Sequence, residues 1–179
     1  MPFAFPSHPG LIAPLWRRWP HRFDALGCAI GAMTPDIVDG VLGVFRGDLG
    51  QWYGHSLLGV MLLDVPVAWL LTLVASRLPR LRDIPRAPPS RLISSIWVGA
   101  LSHVLFDFVS HETFVLLLPW HAYARVFPSF WYARWFELRT PFYKEPYPIG
   151  PHFTVWLVLS VVGAVTFFSD FGREEDRAS

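Results

Sequence analysis

The stretch LISSIWVGALSHVLFDFVSHETFVLLL, residues Leu92–Leu118, decides the fold of this chain. It is long and apolar enough to cross a bilayer, because a spanning helix needs about 20 consecutive apolar residues. It nevertheless contains His103, Asp107 and His111, which recur every four residues. Positions four apart lie on one face of a helix, so these side chains would form one polar stripe. The stretch therefore predicts a membrane-spanning helix with an ionisable face.

An ionisable stripe inside hydrocarbon is costly and needs a physical reason. One reason is a network of buried hydrogen bonds between helices. The other is a metal ion, for which His103 and Asp107 are a compact pair of ligands, while His111 could serve the same ion through a bend, or a second ion. The spacing alone leaves both interpretations open.

The composition indicates a membrane protein. Hydrophobic residues make up 53% of the 179 residues and charged residues only 16%, below the quarter that is typical of soluble domains. We therefore predict an all-α fold, a polytopic helical bundle with about four spanning or half-spanning segments and an interfacial aromatic helix. The net charge of +1 and the lack of a basic recognition run argue against nucleic acid as a partner. The single cysteine, Cys28, excludes an internal disulfide and a cysteine-based zinc site.

Three more segments are apolar enough to enter the membrane: Phe23–Phe45, Ser56–Ala75 and Phe153–Ser169. Pro35 interrupts the first of them and predicts two half-helices, because proline removes a backbone donor and disfavours helix in the preceding residue. Thr34 would then cap the second half-helix. Asp36 in its first turn either complements the helix dipole or lines a polar cavity at membrane depth.

The segment Ser56–Ala75 contains Asp64 and Pro66 near its middle, and His55 precedes it. Asp64 either bonds backbone groups that Pro66 leaves free or is a functional carboxylate, which is the usual interpretation of an intramembrane acid. On a regular helix His55 and Asp64 lie about half a rotation apart, so a shared ion would require a bend at Pro66.

The residues before the first apolar segment are rich in proline and predict at most a short helix around Gly10–Trp19. Ser7 could be its N-cap and Pro9 lie early in its first turn. His8 would then lie at a helix N-terminus, where most histidines are merely solvated.

The loop Arg77–Arg91 contains five arginines and four prolines. Short loops rich in basic residues stay on the cytoplasmic side, so we expect this loop to be cytoplasmic in a multi-pass protein. The helix that begins at Leu92 would then run outward, with His103 and Asp107 near the middle of the membrane.

The segment Pro119–His152 is crowded with aromatic residues and arginines, a mixture that prefers the headgroup zone. We expect an interfacial helix near Ser129–Leu138, or a lid packed on the bundle, and membrane lipids as partners. The chain is thus interpreted as a single membrane domain, 1–179. Its parts are a core over 1–118, the aromatic segment 119–152, a last transmembrane helix over 153–169 and a disordered tail over 170–179.

The polar residues form blocks along the chain: Pro6-Ser7-His8-Pro9, Gly31-Ala32-Met33-Thr34-Pro35-Asp36, His55-Ser56-Leu57-Leu58-Gly59, Asp64-Val65-Pro66, and Ser102-His103 through Asp107 to His111. This set resembles the bacterial membrane family catalogued as domain of unknown function 4184, DUF4184. The resemblance runs from the N-terminus to about Glu112 and implies a location in the bacterial inner (cytoplasmic) membrane.

The order of these residues is also distantly similar to zinc-dependent phospholipase C and to inner-membrane metal-dependent hydrolases described as binding LexA. Carried over position by position, that resemblance implies six metal ligands: His8, Asp36, His55, His103, Asp107 and His111. The phospholipases complete a three-metal site with a further His-x-x-x-Glu. Here His121 is followed at that spacing by Arg125, and His152 by Trp156. We therefore expect one or two ions of zinc or another divalent transition metal.

The ligand set suggests a metal-dependent hydrolase that acts on a phosphoester or another amphiphilic substrate, such as a phospholipid or a lipid-linked phosphate. The candidate catalytic carboxylates are Asp36, Asp107 and Asp64. The alternative is a non-enzymatic membrane protein, either a small transporter or ion relay or an assembly factor, that uses the same residues. A hydrolase would gather the ligands around one centre, whereas a relay would spread them along the membrane normal.

Overall fold

The computed structural model describes residues 4–47, 51–78, 87–111, 113–124, 126–139 and 146–178. It is mostly helical, and the predicted all-α membrane bundle is confirmed. The helices are α1 (Ala4–Arg18), α2 (Ala25–Arg46), α3 (Leu57–Gly59), α4 (Val65–Ala75), α5 (Pro89–Ser110) and α6 (Pro151–Ala178). A 3₁₀ turn, Tyr53–His55, precedes α3, and a π-helical turn, Val60–Asp64, joins α3 to α4.

Two short antiparallel hairpins follow α5. The first pairs β1 (Thr113–Leu117) with β2 (His121–Ala124), and the second pairs β3 (Phe136–Leu138) with β4 (Tyr147–Ile149). A 3₁₀ turn over Ser129–Tyr132 lies between them along the chain. The hairpins are therefore additions beyond the end of α5, while the helices form the body of the protein.

In the part of the chain that the structure describes, four helical segments are long and apolar enough to cross a membrane: Ala25–Arg46, Leu57–Ala75, Pro89–Ser110 and Pro151–Ser169. At 1.5 Å per residue, a 22-residue helix such as α5 is about 33 Å long, which matches the hydrocarbon core of a bilayer. Large apolar side chains on these segments, such as Leu70, Leu105 and Val165, are about three-fifths exposed. An apolar surface of this kind is expected to contact lipid instead of water.

Glycines bring α2 and α5 into backbone contact. A Cβ atom at Gly31 would collide with the carbonyl oxygen of Ile96, and one at Gly99 would collide with the carbonyl oxygen of Cys28. Small residues allow helices to approach this closely in membranes. The close contact brings together the faces of α2 and α5 that carry the predicted site residues.

The contact between α1 and α6 is built in the same way. A Cβ atom at Gly10 would collide with the backbone of Gly163, and the Ser7 hydroxyl donates a hydrogen bond to the carbonyl oxygen of Ser160, at 3.0 Å. The last helix, which the sequence predicts only as an anchor, therefore holds α1, the helix that carries His8.

The prediction of two half-helices around Pro35 was wrong, because α2 is continuous from Ala25 to Arg46. Thr34 does not cap a helix. Its hydroxyl donates to the carbonyl oxygen of Ile30, at 2.7 Å. Proline costs the helix one backbone hydrogen bond, and the tight packing of α2 on α5 keeps the helix intact.

The predicted helix over Leu92–Leu118 is shorter than expected. It ends at Ser110, and His111 is extended, with φ −120° and ψ 154°. The following residues, Thr113–Leu117, are β-branched, aromatic or aliphatic, and they pair with β2 instead of continuing the helix.

The helical boundaries elsewhere also differ from the predictions. The interfacial helix predicted near Ser129–Leu138 is only the 3₁₀ turn Ser129–Tyr132, since residues 136–138 pair with β4. α1 begins at Ala4, with Phe5 in extended conformation, and so starts before the N-cap predicted at Ser7. α6 continues to Ala178, through the predicted tail. Residues 79–86 of the arginine-rich loop lie outside the described residues.

Candidate metal centre

Four side chains from three elements converge at one point inside the bundle. Asp36 comes from α2, His55 from the 3₁₀ turn, and His103 and Asp107 from successive turns of α5. One potential ligand atom of each lies within 4.8 Å of all the others. His103 is fully buried, and His55 and Asp107 are 2% and 5% exposed. We refer to these four residues as the central cluster.

The distances within the central cluster are those of ligands around one ion. His55 Nε2 lies 3.1 Å from His103 Nε2, 3.1 Å from Asp107 Oδ2 and 3.5 Å from Asp36 Oδ1. His103 Nε2 lies 3.6 Å from both Asp36 Oδ1 and Asp107 Oδ2. Zinc with ligand bonds of about 2.0–2.2 Å places its tetrahedral ligands about 3.3–3.6 Å apart. Three of these five distances lie in that range and the other two are about 0.2 Å shorter, so the cluster approximates a tetrahedral cation site.

The hydrogen-bond partners of the two histidines direct lone pairs into the cluster. Nδ1 of His103 donates to the carbonyl oxygen of Ala32 at 2.7 Å, and Nδ1 of His55 donates to Asp39 Oδ2 at 2.7 Å. Because both partners are acceptors, each Nδ1 carries its proton and each neutral ring presents a bare Nε2. Two bare nitrogens and two carboxylate oxygens then face one another, an arrangement that requires a positive charge at its centre.

Asp39 fixes this geometry from outside the central cluster. Besides His55, its carboxylate accepts hydrogen bonds from the backbone N–H groups of Trp52 and Gly54, at 2.6 and 2.7 Å. Asp39 is 1% exposed. A carboxylate that orients a ligand histidine is the usual second partner in metal sites. Sequence analysis gave Asp39 no role, and its position on the Asp36 face of α2 was the only available signal.

The surrounding carboxylates give the cluster a strong preference for positive charge. Burial alone would lower the pKa of the His55 imidazole, but hydrogen bonds to Asp107, Asp36 and Asp39 raise that pKa well above its ordinary value. A proton on His55 meets this preference, and a metal cation meets it equally when it displaces that proton and leaves the ring neutral.

His8 lies against the central cluster without belonging to it. Its ring stacks on that of His103 with centroids 3.8 Å apart, and its Nε2 lies 3.5 Å from Asp107 Oδ1. Burial, followed by the nearby His103, lowers the pKa of His8 to about 3. His8 is therefore neutral at physiological pH, the form in which imidazole binds metals.

A family model described as "Domain of unknown function (DUF4184)" matches residues 1–132. The chain belongs to the DUF4184 family. The matched residues include the whole central cluster, Asp39 and His8. No curated protein and no solved structure matches this chain. The more distant resemblance to zinc-dependent phospholipase C and the hydrolases described as binding LexA is not supported by these comparisons.

The other site residues predicted for this DUF4184 chain lie farther out. His111 follows the last turn of α5, with Nδ1 3.8 Å from Asp107 Oδ2 and 3.2 Å from the carbonyl oxygen of Asp107. Asp64 is fully buried in the π-helical turn, outside the central cluster, and neither of its carboxylate oxygens has a hydrogen-bond partner among the described residues. Glu112, near which the predicted family resemblance ends, lies outside the described residues.

Substitution of Asp39 by asparagine is expected to weaken metal binding by about 10- to 100-fold, the usual effect of losing a carboxylate behind a ligand histidine. An asparagine of the same size keeps one acceptor oxygen but cannot accept all three of the hydrogen bonds that Asp39 accepts. Competition of the purified protein with a chelator measures this loss. The matched control is Asp24→Asn at the N-cap of α2, where unchanged affinity is expected. Equal affinity in Asp39→Asn and wild type would exclude the orienting role.

Proposed function

We propose that this DUF4184 protein is a metal-dependent membrane hydrolase that acts on a phosphoester or another amphiphilic substrate. The observation that supports this proposal is the convergence of four acceptor atoms on one buried centre, with spacings that fit a divalent cation. Gathering around one centre is what distinguishes a metal site from residues spread along the membrane normal.

The chemistry of the donors favours zinc, or another divalent transition metal, since two imidazoles and two carboxylates are typical ligands of these ions. Such an ion acts as a Lewis acid and lowers the pKa of bound water to about neutrality where its coordination leaves a position open for water.

The residues of the chain fix the orientation of the ligands. Gln51 donates a hydrogen bond from its side-chain amide to Asp107 Oδ2, at 2.7 Å, and holds that carboxylate in place. Asp107 Oδ1 points to the other side, toward His8 Nε2 at 3.5 Å. Asp36 Oδ1 is buried without a hydrogen-bond partner among the described residues, which fits a ligand of the ion. No hydrogen bond among the described residues joins Asp64 to the central cluster, and its catalytic role stays a prediction.

An amphiphilic substrate is favoured by the surface next to the end of α5. Trp131 donates a hydrogen bond from its indole to the carbonyl oxygen of Val109, so the aromatic segment is fastened within one turn of Asp107. Nearby Phe130, Trp135 and Phe136 are each more than three-fifths exposed. Exposed aromatic rings of this kind prefer lipid headgroups. With the arginine-rich loop on the cytoplasmic side of a bacterial inner membrane, the site would face the outer leaflet.

A proton or ion relay is the second candidate function, and Asp64 favours it. A carboxyl group that is fully buried inside a spanning segment, without a partner among the described residues, is typical of proton pathways. π-helical turns are also frequent at functional sites. A relay predicts that Asp64→Asn abolishes proton flux in proteoliposomes and leaves bound metal unchanged.

Hydrolysis is tested with the protein in detergent micelles that contain a phospholipid or a polyprenyl phosphate, with release of the product followed by phosphate analysis. We expect turnover that is lost on chelation and restored by Zn²⁺, and at least about a 100-fold lower rate in His103→Ala, since a metal ligand is removed. The control is His152→Ala. That histidine is 2% exposed on α6 and lies next to Trp131, outside the central cluster. Metal binding without turnover of either class of lipid would contradict the hydrolase.

A further inference from the structure

The central cluster is a closed site. Its four protein ligands satisfy a tetrahedral ion, which is typical of structural zinc, whereas catalytic zinc has three protein ligands and an open position. The following inference rests on the proposed hydrolase activity, which requires an open coordination position for water or substrate. Because the central cluster already supplies four ligands, that position has to lie next to the cluster.

The two carboxylate oxygens of Asp107 face different groups. Its Oδ2 faces the two histidines of the central cluster, and its Oδ1 faces His8 Nε2 at 3.5 Å. That distance is longer than a good hydrogen bond between nitrogen and oxygen. It is instead the spacing of two ligands of one ion, as found for the pairs within the central cluster.

A small cavity adjoins this second pair of atoms. It lies between α1, α5 and α6, and its polar lining is formed by Ser7, His8, Asp107, Ser110 and Ser160. Its volume of about 10 Å³ is enough for about one water molecule. His8 is nine-tenths buried and its Nδ1 has no hydrogen-bond partner among the described residues, so the site offers a buried imidazole whose polar atoms are not otherwise used.

The charge balance also leaves room for a second cation. Three carboxylates, those of Asp36, Asp39 and Asp107, surround the two neutral histidines of the central cluster. One divalent ion therefore leaves a net charge of −1 and two leave +1, so a second cation reverses the buried charge without enlarging it.

We infer that His8 Nε2 and Asp107 Oδ1 bind a second divalent cation, with the Asp107 carboxylate bridging it to the ion of the central cluster. This second site has only two protein ligands, so its other positions are open to water from the cavity and to a phosphate oxygen of the substrate. The central cluster is then the structural half of a two-ion centre, and the second site is the reactive half.

Titration of the chelator-stripped protein with Zn²⁺ in detergent tests the second site directly. We expect about two ions per chain in the wild type, a tight one and a weaker one, and about one in His8→Ala, with the tight ion retained. His8→Gln keeps a polar side chain of similar length and tests the same point if alanine disturbs α1. The control is His21→Ala, an exposed histidine just beyond α1, which should still bind both ions. Loading with Mn²⁺ adds a second readout, since a bridging carboxylate couples the spins of two ions and changes the EPR spectrum.

The outcomes separate this inference from the proposed function. A wild-type protein that binds one ion, kept in both His8 variants and lost in His103→Ala, would overturn the second site and leave the central cluster as a metal site. Loss of both ions in His8→Gln would also overturn it, since His8 would then support the central cluster itself. A wild-type protein that binds no ion would overturn the proposed function as well.

Discussion

Protein that carries both His103→Ala and Asp107→Ala is expected to purify without stoichiometric transition metal. The two substitutions remove half of the ligand atoms of the central cluster, and Asp107 is also the carboxylate that faces His8. Loss of a residue behind a ligand already costs about 10- to 100-fold in affinity, so loss of two direct ligands should cost more than about 100-fold. Elemental analysis of the protein in detergent, compared with wild type prepared in parallel, measures the result.

The control for this experiment is His152→Ala, which removes a histidine as deeply buried as His55 but held by the carbonyl oxygen of Trp131. It should keep the wild-type metal content. If the double variant also keeps it, then the central cluster is only a set of packed polar residues, and the proposed hydrolase fails with it.

The polar face of α5 could be predicted from the sequence because it depends on local geometry. A period of four residues places His103 and Asp107 on one face, and the apolar length around them predicts a span. The structure brings them together with Asp36 and His55. The resemblance to the DUF4184 family, now confirmed, rests on sequence blocks that contain the same residues, whereas their assignment as metal ligands came from the more distant resemblance, which is not supported.

The role of Asp39 could not be predicted because it depends on a turn that is remote along the chain. Its carboxylate meets the backbone of Trp52 and Gly54 only after the 3₁₀ turn has folded against α2. The pattern of apolar and polar residues within α2 cannot predict that contact. The same holds for α6, whose apolar sequence predicts only a transmembrane helix. Its Gly163 packs against the backbone of α1 and thereby positions His8.

The continuity of α2 through Pro35 shows how packing overrides a local signal. Proline predicts a break because it removes one hydrogen bond, yet Gly31 on the same helix contacts the backbone of α5. The favourable packing is spread over the length of the helix and is invisible to a local rule. The consequence is that Asp36 projects from a rigid helix, as a metal ligand requires.

Gly31→Ala and Gly40→Ala make the same change on the same helix and are expected to have opposite effects. A Cβ atom at Gly31 would collide with the backbone of Ile96, while one at Gly40 has nothing within 4 Å. Gly40→Ala should stabilise the protein by up to about 1 kcal/mol, because alanine is the better helix former. Gly31→Ala should destabilise it by about 1–3 kcal/mol, since backbone atoms cannot yield as a flexible side chain can.

The pair also tests whether the contact between α2 and α5 sets the geometry of the metal centre. Asp36 lies on α2, while His103 and Asp107 lie on α5, so any separation of the two helices lengthens the distances on which the central cluster depends. Metal affinity should fall in Gly31→Ala and stay unchanged in Gly40→Ala, as measured by chelator competition beside thermal unfolding in detergent. Equal stability and equal affinity in the two variants would mean that the helices are not held at backbone contact. The packing of small residues would then not be what builds this site.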